Sequence, residues 1–168
     1  MFLLYINDIG KNINHSHIRL FADDCLLYRE ISSDKEIQIQ DEIKLQRDLT
    51  SLQGWSQTWQ MLFNVQKCFT LSVTKRGQQL NKRYSLKGHT LMSVDHYPYL
   101  GVEFQSDLKW NHHITKVINK ASRSLCIVYR TFGQCPSEVR ASGYYTLVRP
   151  HLEYALSLIH ISEPTRPY

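Results

Sequence analysis

The chain has 168 residues, of which 42% are hydrophobic and 21% are charged, a balance typical of globular proteins and unlike that of disordered ones. This length suffices for one sizeable hydrophobic core, or for a core with a small additional subdomain. The formal net charge of +5 weakly favours a polyanionic partner. No apolar run approaches the ~20 residues that a membrane span requires. The apolar start at residues 1–6 lacks the basic region and cleavage site of a signal peptide.

The number and spacing of the cysteines indicate the cellular compartment of the protein. The four cysteines are scattered, and their spacing fits no zinc-binding motif. Free thiols in a reducing compartment are the simplest interpretation. We therefore expect an intracellular protein, in the nucleus or the cytoplasm, that is neither secreted nor held in a membrane. The cysteines are Cys25, Cys68, Cys126 and Cys135.

Two adjacent carboxylates, Asp23 and Asp24, lie between the apolar runs Ile18–Leu20 and Cys25–Tyr28. Strands disfavour Asp, and neighbouring carboxylates repel each other unless a cation lies between them. The pattern predicts a β-hairpin whose tight turn presents both carboxylates to a divalent metal ion. A solvated turn with two acidic residues is the alternative, because so short a motif is unspecific.

A helix is predicted next, because Ser33 and Glu36 have the spacing of a capping box. It should extend to about Trp59 and pack on a sheet, and Gly54 weakens it. Its expected apolar face consists of Leu45, Leu49, Leu52 and Trp59, with Trp55 and Leu62 at the border. Charged residues occupy much of the remaining surface, namely Asp41, Glu42, Lys44, Arg47 and Asp48.

Short strands follow this helix. Residues 69–74 alternate between apolar and polar side chains, which predicts a strand. Residues 84–86 and 90–92 read as a small hairpin around Lys87-Gly88-His89. Residues 97–104 are predicted as another strand, in which Gly101 would allow a close backbone approach.

Two helices are predicted from Trp110 onward. The first should run to about Phe132 with Asp107 as its cap, and the second from about Ser137 to Val148. One face of the first helix is apolar and consists of Ile114, Ile118, Ala121, Leu125 and Val128. The opposite face is basic, without an intervening acidic residue, and consists of Lys109, Lys116, Lys120, Arg123 and Arg130. Such a row predicts contacts with nucleic-acid phosphates, and a solvated helix face is the alternative. The order of elements predicts an α+β fold with a helical addition.

Taken together and in this order, several segments resemble the reverse transcriptases of non-LTR (LINE-like) retrotransposons. Phe21–Asp24 is similar to the catalytic hairpin of the polymerase palm in that family, and residues 2–9 to the end of the preceding helix. The other similar segments are Trp55, Trp59, Met61–Asn64 and Lys67-Cys68 of the next palm motif, Tyr99–Val102 of the primer-grip hairpin, and Trp110, His113-Ile114 and Leu147–Ala155 of the thumb.

The resemblance implies an RNA-directed DNA polymerase, with part of the palm at residues 1–104 and the thumb helices at 105–155. Asp23 and Asp24 would bind Mg²⁺ (or Mn²⁺) for two-metal nucleotidyl transfer, with Asp23 the more direct ligand. Lys67 would be a cation near the deoxynucleotide triphosphate and a possible proton donor, although an exposed lysine at the start of a strand is an equal alternative. Tyr99, Leu100 and Gly101 would position the primer end.

The implied partners are an RNA template paired with a DNA primer, deoxynucleotide triphosphates and the remainder of the retrotransposon polyprotein. In the family, a third metal-binding Asp and the fingers precede this hairpin, and no Asp here matches that motif; Asp8 is not a substitute. We therefore expect the chain to be a fragment that does not polymerise alone. Residues 156–168 resemble the translation of a sequencing adapter and are expected to be an artefact, with a divergent tail as the alternative.

Two other functions stay open at this point. One is a nucleic-acid-binding remnant of a decayed element that has no catalysis. The other is the palm of a different polymerase class, against which the thumb-like run Arg149–Tyr154 argues. A purely structural protein would leave the paired carboxylates unexplained.

Overall fold

A computed structural model describes residues 6–74 and 82–154. These residues combine helices with antiparallel strand pairs, which agrees with the predicted α+β class. They fall into two compact units, residues 6–70 with 82–94 and residues 71–74 with 95–154. The predicted boundary between palm and thumb, at residue 104, is not the boundary between these units. The predicted artefact at residues 156–168 and the helix end before Ile6 lie outside the described residues.

The first unit contains the predicted acidic hairpin. A short 3-10 helix, Ile9–Asn12, precedes strands β1 (His17–Phe21) and β2 (Asp24–Tyr28). The two strands pair in antiparallel register from His17 opposite Tyr28 to Phe21 opposite Asp24. Helix α1 (Lys35–Thr58) follows. The hydrophobic core between these elements consists of Ile6, Ile9, Leu52 and Trp55, with Ile18, Cys25 and Leu27 of the hairpin packed against it.

Helix α1 confirms the predicted helix, but its start and its packing face differ from the prediction. The residue that caps it is Asp34, not Ser33, because the Asp34 carboxylate accepts the backbone N–H groups of Glu36 and Ile37. Leu52 and Trp55 are buried, whereas Trp59 is 43% exposed and Leu62 is 75% exposed. The prediction that Trp59 packs in the core is therefore wrong.

Part of the expected charged surface of α1 is buried instead. Asp41 and Glu42 are each 6% exposed, and Asp48 is 2% exposed. Asp41 binds Arg29 at 2.6 Å, and Glu42 binds Lys82 at 2.9 Å. These partners explain how the carboxylates tolerate burial, since buried charges need a paired cation or several hydrogen-bond donors.

The remaining strands are short. Strand β3 (Phe69–Leu71) ends three residues before the predicted end at Thr74 and pairs with β6 (Met92–Val94). Strands β4 (Ser85–Leu86) and β5 (His89–Thr90) confirm the small predicted hairpin. The single strand predicted at 97–104 is wrong, because residues 96–105 form a hairpin of β7 (His96–Tyr99) and β8 (Val102–Gln105).

The second unit ends in three helices, α2 (Asn111–Phe132), α3 (Ser137–Leu147) and α4 (Arg149–Glu153). Asp107 does not cap α2: its carboxylate accepts the N–H of Lys109, and Trp110 occupies the cap position. On the apolar face, Ala121 and Val128 are buried with Val148. The other predicted members of that face are more than a third exposed, namely Ile114, Ile118 and Leu125. Within the described ranges, no helix is both long enough and apolar enough to cross a membrane.

Candidate functional site

The acidic hairpin ends in a two-residue turn, Ala22-Asp23, and Asp24 is the first residue of β2. Ala22 has a φ of +51°, a conformation that costs a residue with a side chain about 1 kcal/mol. Because Phe21 pairs with Asp24, only Ala22 and Asp23 lie between the two strands. The predicted presentation of both acidic residues at the tip of a tight hairpin is therefore confirmed.

Both side chains at this tip are exposed, and neither Asp23 nor Asp24 has a hydrogen bond or ion pair with any described residue. Phe21, the last residue of β1, is 62% exposed. Carboxylate oxygens that are free and face solvent are ligands that Mg²⁺ prefers, usually together with water. The donor set therefore fits part of a magnesium site. The described part of the chain has no group of three or more His, Cys, Asp or Glu side chains that could complete one.

Lys67 is the last residue of a second 3-10 helix, Val65–Lys67, whose start is capped by the Asn64 side chain. The Cys68 thiol, next in sequence, lies close enough to Cys25 to act on its ionisation. Burial, together with Cys68, raises the pKa of Cys25 to about 11. Met61 and Phe63, which precede this short helix, pack against the same hydrophobic core as Cys25 of β2. Lys67 forms no ion pair with either aspartate in the described structure.

The predicted primer-grip residues form the turn between β7 and β8. Leu100 and Gly101 both have positive φ, +49° and +79°. A Cβ at Gly101 would lie 3.1 Å from the Tyr154 ring, and the Tyr154 hydroxyl donates a hydrogen bond of 2.7 Å to the Leu100 carbonyl. The close approach predicted at Gly101 is therefore confirmed, and its partner is the Tyr154 ring. Tyr99 lies at the end of β7, opposite Val102.

The basic face of α2 is less uniform in the structure than in the sequence. Lys109 binds Asp107 at 3.3 Å, and Lys116 binds Glu103 of β8. Acidic residues from outside the helix thus neutralise two of the five predicted cations. Lys120, Arg123 and Arg130 remain exposed and have no acidic partner among the described residues. A phosphate-binding role is therefore better supported for these three than for Lys109 or Lys116.

A cluster around the buried His113 lies at the start of α2, and no sequence pattern predicted it. His113 is 2% exposed, its Nδ1 accepts the N–H of Glu103 at 3.3 Å, and its buried Nε2 has no partner among the described residues. Burial lowers the pKa of His113, the Lys116 charge lowers it further, and the Glu103 charge opposes both. Its ring packs edge-on against Trp110.

The described residues thus present two kinds of chemistry. One is the pair of free carboxylates at the tip of the β1–β2 hairpin, Asp23 and Asp24. The other is a set of exposed cations on α2, Lys120, Arg123 and Arg130. Comparison with known proteins gave no match to a protein-family model, to a curated protein or to a solved structure.

Proposed function

We propose that this chain supplies the catalytic hairpin, the following palm elements and the thumb of an RNA-directed DNA polymerase of the non-LTR retrotransposon kind. The observation that carries the proposal is the tip of the β1–β2 hairpin, where Asp23 and Asp24 are adjacent, exposed and without a partner in the described structure. Neighbouring carboxylates repel each other unless a cation neutralises them. A divalent cation bound during function would do so.

In this proposal, Asp23 and Asp24 hold Mg²⁺ (or Mn²⁺), with Asp23 as the more direct ligand. When bound, the metal ions lower the pKa of the primer hydroxyl and stabilise the leaving phosphate oxygens. Asp23 lies in the turn and Asp24 is the first residue of β2, so both residues belong to the tip of the hairpin. Further oxygen ligands would come from water and from outside the described residues. Lys67, at the end of the second 3-10 helix, would supply a positive charge for the nucleotide triphosphate.

The second unit contributes contacts with the template–primer duplex. Phosphates would bind the exposed cations of α2, Lys120, Arg123 and Arg130, which position a duplex without reading its sequence. The Leu100-Gly101 turn would contact the primer end, and the Tyr154 hydroxyl holds that turn in place through the Leu100 carbonyl. The partners are therefore an RNA template, a DNA primer and deoxynucleotide triphosphates.

Cleavage by bound iron tests whether the hairpin holds a metal beside the primer end. The full chain is mixed with an RNA–DNA hybrid whose primer end is recessed, and Fe²⁺ with peroxide replaces Mg²⁺. Hydroxyl radicals form where the ion is bound, so we expect cleavage centred on the primer 3′ end. Asp23→Asn with Asp24→Asn should abolish this localised cleavage, because a neutral amide is a poor ligand for a hard cation.

A matched control removes two exposed acidic residues of the same unit, Glu30→Gln with Glu36→Gln, and should keep the cleavage pattern. Binding of the hybrid is measured in parallel by fluorescence anisotropy. Localised cleavage that persists in the Asp23 and Asp24 variant would refute the proposed metal site. Salt-dependent binding without localised cleavage would instead support the second candidate, a non-catalytic nucleic-acid-binding remnant, which the free cations of α2 also favour.

A further inference from the structure

A second basic surface lies in the first unit, in a groove between α1 and the segment before β4. The groove has a volume of about 320 Å³. We call it the α1 groove, and its polar lining includes Glu42, Arg47, Thr50, Lys82, Arg83 and Tyr84. None of these residues belongs to the hairpin tip or to α2, so the proposed polymerase chemistry does not account for them.

Hydrogen bonds hold the walls of the α1 groove together. The Gln46 side chain donates to the Ser85 carbonyl and accepts the Ser85 N–H, each at 2.9 Å. Further along α1, Gln53 accepts the N–H of Lys87 at 2.9 Å. Tyr84, which also lines the groove, is only 6% exposed. The groove is therefore formed before any ligand arrives, which lowers the entropic cost of binding.

The charge of the α1 groove is positive. The single acidic residue in its lining, Glu42, is 6% exposed and already binds Lys82 at 2.9 Å and the Gln38 amide at 3.0 Å. Arg47 and Arg83 are exposed, and neither guanidinium has a hydrogen bond or ion pair with a described residue. Two unpartnered guanidinium groups thus line a preformed groove, and this arrangement suits phosphate groups.

Tyr84 and Thr50 add neutral hydrogen-bonding groups to the same lining. Burial, with the Glu42 charge, raises the pKa of Tyr84 to about 12. Positively charged grooves that follow the phosphate backbone are typical of proteins that bind single strands. The volume of about 320 Å³ lies at the lower end of the range of small-ligand pockets.

We infer that the α1 groove binds the phosphodiester backbone of a single-stranded nucleic acid through Arg47 and Arg83. This inference goes beyond the proposed function, because it requires neither a metal ion nor a primer end. It adds a binding site for an unpaired strand, separate from the duplex contacts assigned to α2.

Salt-dependent binding of a fluorescent 20-nucleotide oligo-dT to the full chain, in EDTA, tests the inference. Arg47→Gln with Arg83→Gln should weaken binding about tenfold at low salt. It should also reduce the slope of log affinity against log salt by about 1.4, because each neutralised phosphate of a single strand contributes about 0.7 to that slope. The control Lys11→Gln with Lys35→Gln removes the same charge from exposed positions of the same unit and should change neither quantity beyond twofold.

Arg47→Lys with Arg83→Lys keeps the charges and should restore most of the salt slope, which separates weaker phosphate binding from a damaged fold. The inference is overturned if the glutamine variant binds as tightly as the wild type, if the control variant loses equal affinity, or if the wild type does not bind the oligonucleotide. Because EDTA removes divalent metal, none of these results bears on the metal site at Asp23 and Asp24.

Discussion

Asp48 offers the sharpest test of how the acidic hairpin is held in place. Its side chain is 2% exposed in the second half of α1, and its two oxygens accept the backbone N–H groups of Asn14 at 3.3 Å and His15 at 3.1 Å. These two amides lie just before β1 begins at His17. Asp48 therefore fixes the segment through which the chain enters the hairpin.

Asp48→Ala should lower the free energy of unfolding by about 2–3 kcal/mol. A hydrogen bond to a charged group contributes roughly 1.5 kcal/mol at the lower end of its range, and two are lost. Alanine recovers about 0.6 kcal/mol through its higher helix propensity. Urea denaturation followed by tryptophan fluorescence measures the change, since Trp55 lies in the core that α1 shares with the hairpin.

Gln40→Ala is a matched control, because Gln40 is exposed on the same helix, and it should change stability by less than about 0.5 kcal/mol. Asp48→Asn should fall between the two, since one oxygen can still accept an N–H while the amide nitrogen cannot. Faster hydrogen exchange at Asn14 and His15 should accompany both Asp48 variants. A loss below about 1 kcal/mol for Asp48→Ala would show that solvent satisfies these two amides equally well.

Three further outcomes follow from single sites and are read by the same denaturation assay. Gly101→Ala should destabilise by more than about 1 kcal/mol, because a Cβ at φ +79° would meet the Tyr154 ring at 3.1 Å. Gly54→Ala should stabilise by about 0.5–1 kcal/mol, since its Cβ would meet open space inside α1. If both glycine variants changed the free energy of unfolding in the same direction, this reasoning would be contradicted. Burial lowers the pKa of His113 below its ordinary 6.5, so its contribution to stability is complete above that pH and is lost as the pH falls through the folded value. The stability difference between wild type and His113→Gln should therefore shrink from about pH 7.5 to about pH 5, and a constant difference would refute it.

The sequence predicted best those elements whose causes are local. The β1–β2 hairpin follows from two apolar runs around an acidic pair, and the Lys87-Gly88 turn follows because glycine favours the positive φ of a two-residue turn. The same signal is present at Leu100-Gly101, but leucine rarely adopts positive φ and the surrounding residues read as one strand. The cap of α1 differs from the prediction by one residue, since Ser33 and Asp34 are both good capping residues.

Burial of charge could not be predicted, because it depends on partners far away in sequence. Asp48 binds amides that lie 33 and 34 residues earlier, and Asp41 binds Arg29, 12 residues earlier. Neither partner belongs to α1, so the periodicity of the helix places both carboxylates on a polar surface. The basic face of α2 shows the same effect, since Glu103 of β8 neutralises Lys116 from outside the helix.

The chain contains a second adjacent acidic pair, Asp41-Glu42, and the contrast with Asp23-Asp24 supports the metal proposal. Asp41 is buried beside Arg29 at 2.6 Å, and the hydrogen bond from Arg29 holds its pKa below the ordinary 3.8. Glu42 is buried beside Lys82; burial alone would raise its pKa, but hydrogen bonds from Gln38 and Lys82 lower it.

In the buried pair Asp41-Glu42, each carboxylate therefore has its own cation, Arg29 or Lys82. At the hairpin tip, neither Asp23 nor Asp24 has a cationic partner among the described residues. The backbone of the same tip is also strained, because Ala22 has a positive φ. Other exposed acidic residues without a described partner, such as Glu30, Glu36 and Glu138, do not adjoin a second acidic residue. Two local conflicts, repulsion between like charges and a strained backbone angle, are typical of functional sites when the surrounding fold does not relieve them. The hairpin tip combines both conflicts, at Ala22 and at Asp23-Asp24, and the proposed divalent cation would remove the conflict of charge.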